Sequence, residues 1–274
     1  MKFVSIIQKR ASAAPGKSMI LNPEDYAAAG GELLVIAMVL SWVLTRLGYK
    51  ESRMLAVDHD IIKDNQLKRR VGYNNLCVGW DMAPAKYFAG PIFVGIVFFE
   101  SRFMQLSYQR AAIDPSSNRN EITNFFSTLS WMVCILIFVC SPVENATLHT
   151  FSFVQLVVFG YFAYAANFVT TDVKYHPRGS HVFIGIFGFF SLMFGTCAVV
   201  QFLMYSEETG PGPIPWWVTA TGDYGWFVCL GVQGYMRPRA PSLRLDFALT
   251  SDDDFQVLGE RKPAVESGRT SGSP

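Results

Sequence analysis

The chain has 274 residues, half of them hydrophobic, only 16% charged, with a net charge of +1. A soluble domain usually carries about 25% charge, and a near-neutral chain has no electrostatic footprint for nucleic acid. Composition therefore excludes an ordinary soluble globular protein and a nucleic-acid partner, and points to an integral membrane protein.

Residues 1–30 form a basic N-terminal segment, with Lys2, Lys9, Arg10 and Lys17 ahead of the first acid, Glu24. The segment lacks the apolar core of a secretory signal and reads as a cytosolic tail. Its basic, small-residue character also resembles an organelle presequence. Asn22-Pro23-Glu24-Asp25 reads as a helix start, with a capping Asn, Pro in the first turn and acids at the positive end of the dipole.

Residues 31–240 carry six apolar segments, at 33–49, 87–106, 125–143, 151–169, 182–205 and 216–236. They predict an all-α integral membrane protein, a six-transmembrane-helix bundle, with a longer first loop over 50–86. The second segment is the weakest, because Glu100 and Arg102 fall within it; snorkelling would carry both to the headgroups. Glycines recur in or beside the segments, Gly90 and Gly95 early, Gly160, Gly185, Gly188 and Gly195 in the middle and Gly222 to Gly234 late, which suits close helix approach in lipid. Loops 144–150 and 206–215 contain no Lys or Arg, whereas Arg110, Lys174, Arg178, Arg237 and Arg239 lie on the other side. The positive-inside rule then places both termini in the cytosol. The basic first loop is offset by its own acids, Glu51, Asp58, Asp60, Asp64 and Asp81. Residues 241–274 form a polar tail whose last stretch reads as disordered.

Chemistry is sparse. Cys134, Cys140, Cys197 and Cys229 sit in apolar segments and pack as small hydrophobes, leaving Cys77 as the loop thiol. No disulfide framework, zinc spacing or catalytic motif follows, and no metal or cofactor is expected. Asp223 stands out, seven residues beyond Trp216 and so roughly 10 Å below that interface, where a carboxylate is expensive unless paired, protonated or wet. It serves either as a hydrogen-bonding acid that fixes helix packing or as a headgroup, proton or metal contact. His149 opens the fourth segment and Asp81 precedes the second, both on the side from which Asp223 enters. Asp81, His149 and Asp223, rimmed by Trp216 and Trp217, are thus a candidate headgroup-binding set. The competing arrangement satisfies each of them locally. Asn145-Ala146-Thr147 is a glycosylation triplet close to two spans.

Three stretches carry a resemblance. They are Met82-Ala83-Pro84-Ala85-Lys86-Tyr87-Phe88 leading to Tyr108-Gln109-Arg110, Leu148-His149-Thr150 followed by Phe159-Gly160-Tyr161, and Thr219-Ala220-Thr221-Gly222-Asp223-Tyr224. Together they resemble the six-span damage-regulated autophagy modulator family, which includes the Golgi factor for GPI-anchor lipid remodelling. The resemblance implies an endomembrane protein of Golgi, ER or lysosome with a part in lipid composition, GPI-anchor remodelling or autophagy. It supplies no catalytic residues. The expected partners are membrane lipids and neighbouring membrane proteins. A second expectation is a non-catalytic accessory subunit of a large membrane complex, at the mitochondrial inner membrane. A third, an enzyme acting on lipid, rests on Asp81, His149 and Asp223 alone.

Overall fold

A computed structural model describes residues 1–11, 18–51, 66–74, 78–81, 85–113, 121–140 and 142–246. The expectations for Cys77, for Met82-Ala83-Pro84 and for the tail beyond residue 246 lie outside the described residues. In chain order the elements are α1 (Lys2–Ala11), β1 (Ser18–Leu21), α2 (Pro23–Glu51), α3 (Gln66–Val71), α4 (Val78–Asp81), α5 (Ala85–Ile113), α6 (Glu121–Cys134), α7 (Leu136–Val139), α8 (Pro142–Thr170), α9 (Ser180–Met204), α10 (Trp216–Met236) and β2 (Leu243–Asp246), with a 3₁₀ turn at Val173–Tyr175.

Among the described residues, five helical stretches are long and apolar enough to cross a membrane: Pro23–Thr45, Ala85–Ile113, Glu121–Val139, Asn145–Thr170 and Ser180–Met204. With 21 residues α10 has the length, but Thr219, Thr221, Asp223 and Gln233 make it less apolar. The helices bury one continuous core in which aromatic rings dominate, including Trp80, Phe93, Trp131, Phe153, Tyr164, Phe187 and Trp226. Helix α2 lies between α5 and α10, α9 closes on α10, and α8 joins α6 to α9. Glycine sets the closest approach. A Cβ at Gly31 would lie 2.5 Å from the Gly231 carbonyl oxygen, and one at Gly234 would strike the backbone of Ala28. Only bare backbone allows α2 and α10 that separation.

Helices α2 and α5 each run 29 residues, about 43 Å at 1.5 Å per residue against a hydrocarbon core of about 30 Å. The surplus builds a cap at the end of the bundle where α2 begins and α5 and α10 finish. There the amides of Lys2 and Phe3 donate to the Glu32 carboxylate at 2.7 and 3.1 Å, and Lys2 Nζ pairs with Asp25 at 2.9 Å. Strands β1 and β2 pair antiparallel, Ser18 opposite Asp246 and Leu21 opposite Leu243. Ile6, Leu21, Tyr26, Phe99, Phe103 and Leu243 form a second small core under this pairing. The segments before α2 and after α10 therefore meet at one end of the molecule.

The structure departs from the sequence expectations where tertiary contacts intervene. The basic segment and the start of the polar tail are not free: they supply α1, β1 and β2. Asn22 does cap α2, accepting a hydrogen bond from the Glu24 amide at 3.1 Å. Glu24, though, turns inward and accepts both arms of Arg110 at 2.6 and 3.1 Å, forming a buried ion pair. Glu100 does not reach the headgroups; it is 2% exposed and faces Gly30, with Arg237 supplying the neighbouring positive charge. The third apolar segment is interrupted at Ile135. The fourth starts earlier, at Pro142, and breaks helical geometry at Asn145 (φ −154°, ψ 88°).

Candidate functional site

The polar residues near the start of α10 are organised by a piece of the first loop. Helix α3 ends at Gly72, whose φ of +84° is the left-handed conformation that stops a helix and that glycine adopts without strain. A Cβ there would also sit 3.1 Å from Trp216 Cβ, so this glycine lets the loop lie against the start of α10. The turn delivers Tyr73 to Asp223, and the phenol donates to Asp223 Oδ2 at 2.9 Å across 150 residues of sequence. Asp223 is 1% exposed. Tyr224 donates in turn to the Asn74 carbonyl at 3.1 Å, and its ring meets Tyr73 edge-on at 6.2 Å. On the other flank the Arg70 guanidinium lies over Phe202 and Tyr205, 4.9 and 4.8 Å from the ring centroids. Hydrogen bonds, ring contacts and a cation–π clasp together hold residues 66–74 against α9 and α10.

His149, near the start of α8, is buried under the same loop. Its Nδ1 lies 3.0 Å from the Cys140 carbonyl oxygen, to which it donates in the Nδ1–H tautomer. Between His149 and α3 is a cavity of about 40 Å³ whose walls include Leu67, Tyr73, His149, Thr150 and Thr219. The Thr150 hydroxyl has no hydrogen-bond partner among the described residues, and the Thr219 hydroxyl has only the weakly bonding Cys197 thiol beside it. A cavity needs roughly 10–15 Å³ and two to four polar groups to hold a water. This one suits water bridging the two threonines to His149, and it is far below the roughly 300 Å³ at which small-molecule sites begin.

Tyr73 is therefore common to both residues, bonding Asp223 and walling the His149 cavity. Asp81 ends α4, which packs on α2, α5 and α7 with Trp80 buried against Phe93 and Phe138; the Asp81 side chain lies outside the described residues. Trp216 and Trp217 are both exposed at the rim. Asn145 spends its side-chain oxygen inside the chain, accepting from the Leu148 amide at 2.9 Å and so restarting α8 after the break. Among the described residues no three His, Cys, Asp or Glu side chains are grouped to hold a metal ion.

A larger concavity lies elsewhere. Between the last turns of α5 and the first turns of α6 a groove of about 760 Å³ combines Gln105, Gln109 and Glu121 with Met104, Tyr108 and Phe125. Sequence reasoning missed this groove because its two walls are set by how α5 overruns its apolar segment. It also missed Tyr73, whose partner is 150 residues away. The signal in hand was that an acid buried in an apolar helix needs a donor, and the first loop is the long segment on that side. No protein family, curated protein or solved structure matches the chain.

Proposed function

We propose that the chain is a six-span membrane protein, with α10 as the sixth span and both ends cytosolic, that handles or regulates membrane lipids in the endomembrane system. The observation that carries the reading is the α5–α6 groove. It lies where α5 finishes and α6 begins, the level at which a bundle of spans meets the headgroup layer. Its lining is amphiphilic: amide and carboxylate groups to engage a polar head, and methionine and aromatic side chains to engage the first part of an acyl chain. Its volume falls within the ~300–1,000 Å³ typical of small-molecule sites. The pairing of β1 with β2 supports an even number of crossings, and the lysine- and arginine-free loops support the sidedness. The resemblance to the autophagy-modulator and GPI-remodelling family points in the same direction. The Tyr73–Asp223 contact serves as a latch for the first loop, and no catalytic role is assigned to it.

The test is lipid analysis of the full chain purified in mild detergent. A phospholipid should be retained at stoichiometric level, and Gln105→Ala with Glu121→Ala should reduce it several-fold without lowering the melting temperature. Equal lipid content in wild type and variant would overturn the assignment. Recovery of the chain only as a fixed component of a large lipid-independent assembly would favour the accessory-subunit alternative instead.

A further inference from the structure

A second groove, also of about 760 Å³, opens between α8 and α9. On α9 it follows Gly185, Gly188, Ser191, Gly195 and Val199, one residue each turn, a strip of 15 residues spanning about 21 Å. Val154, Val158 and Phe162 of α8 form the facing wall. Both helices belong to the stretches apolar enough to cross a membrane, so the strip lies at hydrocarbon depth.

Two independent features say that this face is made to be covered. A Cβ added at Gly185 or Gly195 would meet nothing within 4 Å among the described residues. Each glycine costs about 1 kcal/mol against alanine in a helix, and at these two positions, unlike at Gly31, Gly234 or Gly188, where a Cβ would meet the Tyr161 ring, no contact among the described residues uses the missing side chain. The second feature is Ser191. It is 7% exposed and lines the groove, and its Oγ has no hydrogen-bond partner among the described residues. In hydrocarbon an unmade hydrogen bond is costly. An acyl chain cannot relieve it, whereas a hydroxyl or carbonyl of another helix can.

The same face also presents what would fill such a hole. Phe189 and Leu192 stand on the rim of the groove, 61% and 74% exposed. A surface with knob and hole side by side on one helix, at one depth, matches its own copy about a two-fold axis along the membrane normal. That axis keeps the two copies of Ser191 level with each other, and a hydroxyl both donates and accepts. We propose that two copies of this chain associate through α9, the Phe189–Leu192 rim of each seated in the α8–α9 groove of the other. The inference stands apart from the lipid reading, since it uses a different groove and a different measurement.

The test uses the full chain, fluorescently labelled at one site and reconstituted in phosphatidylcholine vesicles, with copies counted by single-molecule photobleaching across a dilution series. Dimers are expected, and Leu192→Cys should cross-link between copies under oxidation while Val94→Cys on exposed α5 should not. Gly195→Leu fills the hole in space that is open within one copy, so the monomer should keep its melting temperature while dimer affinity falls about tenfold or more. Ser191→Ala should weaken the dimer by a smaller factor. Monomers at every density, dimers indifferent to Gly195→Leu, or a groove occupied by lipid instead would each overturn the proposal.

Discussion

Replacing Tyr73 with phenylalanine removes one hydroxyl and keeps the ring, with its edge contact to Tyr224 and its place beside Val71 and Ala220. What is lost is the 2.9 Å hydrogen bond to a carboxylate that is 1% exposed. Hydrogen bonds to charged groups contribute about 1.5–3 kcal/mol, and leaving the acceptor buried without its donor keeps the loss at the upper part of that range. At roughly 2–4 °C per kcal/mol for a chain of this order, the melting temperature in detergent should fall by several degrees. Asp223→Asn keeps an acceptor for the phenol and should lie close to wild type. Asp223→Leu strands the phenol and should cost about 1–3 kcal/mol. In the Tyr73→Phe, Asp223→Leu double variant neither polar atom remains to be stranded, so its cost should be smaller than the sum by about 1 kcal/mol or more. The assay is thermal or denaturant unfolding, in one detergent, of the four proteins of the cycle, wild type, Tyr73→Phe, Asp223→Leu and the double variant, with proteolysis across residues 66–74 as a report on whether the loop has come away. Additivity within about 0.5 kcal/mol would refute the latch. So would a loop equally protected in all four.

Other expectations test separate parts of the fold. Arg110→Met leaves Glu24 without its bidentate partner and should destabilise by about 3–5 kcal/mol, whereas Arg110→Met with Glu24→Leu should recover most of it in the same melts. Gly234→Val drives a side chain into the Ala28 backbone and should abolish folded material on size-exclusion chromatography, while Gly160→Ala, which meets nothing within 4 Å, should be silent. Cysteines at Thr147 and Glu208 should be labelled by a membrane-impermeant maleimide from one side, opposite to a cysteine in the C-terminal tail; labelling of either from the cytosolic side refutes the topology. Arg70→Ala loses two ring contacts and should raise the cleavage rate in residues 66–74 by a few-fold, the loop opening by about 1 kcal/mol.

The spans were legible because a bilayer imposes a local rule, a run of apolar residues of fixed minimum length, and five of the six expected segments meet it in the structure. The capping role of Asn22 was equally local. Asp223 could be singled out because an acid among apolar residues is conspicuous, but its donor could not be found: Tyr73 lies in a loop with no periodicity, and only the tertiary fold puts it in reach. The mutual burial of the charged residues in the cap was illegible for a related reason. Glu24, Arg110 and Arg237 occupy the ends of apolar segments, where a one-dimensional reading assigns charges to the headgroups. Helices longer than a hydrocarbon core is thick bring those ends into contact with one another, where pairing across 86 residues decides burial.

The β1–β2 pairing sets an order of events during synthesis. Leu21 and Leu243 are partners separated by 222 residues, and translation proceeds at about 5–20 residues per second, so β1 emerges roughly 10–45 seconds before β2 exists. Through that interval α2 is without the α10 glycines that fit its backbone, and for the first part of it without Arg110 to neutralise Glu24. During synthesis α2 thus waits through nearly the whole of the described chain for its partner α10. The burial of that helix is completed only when α10 packs on it and β2 arrives to pair with β1.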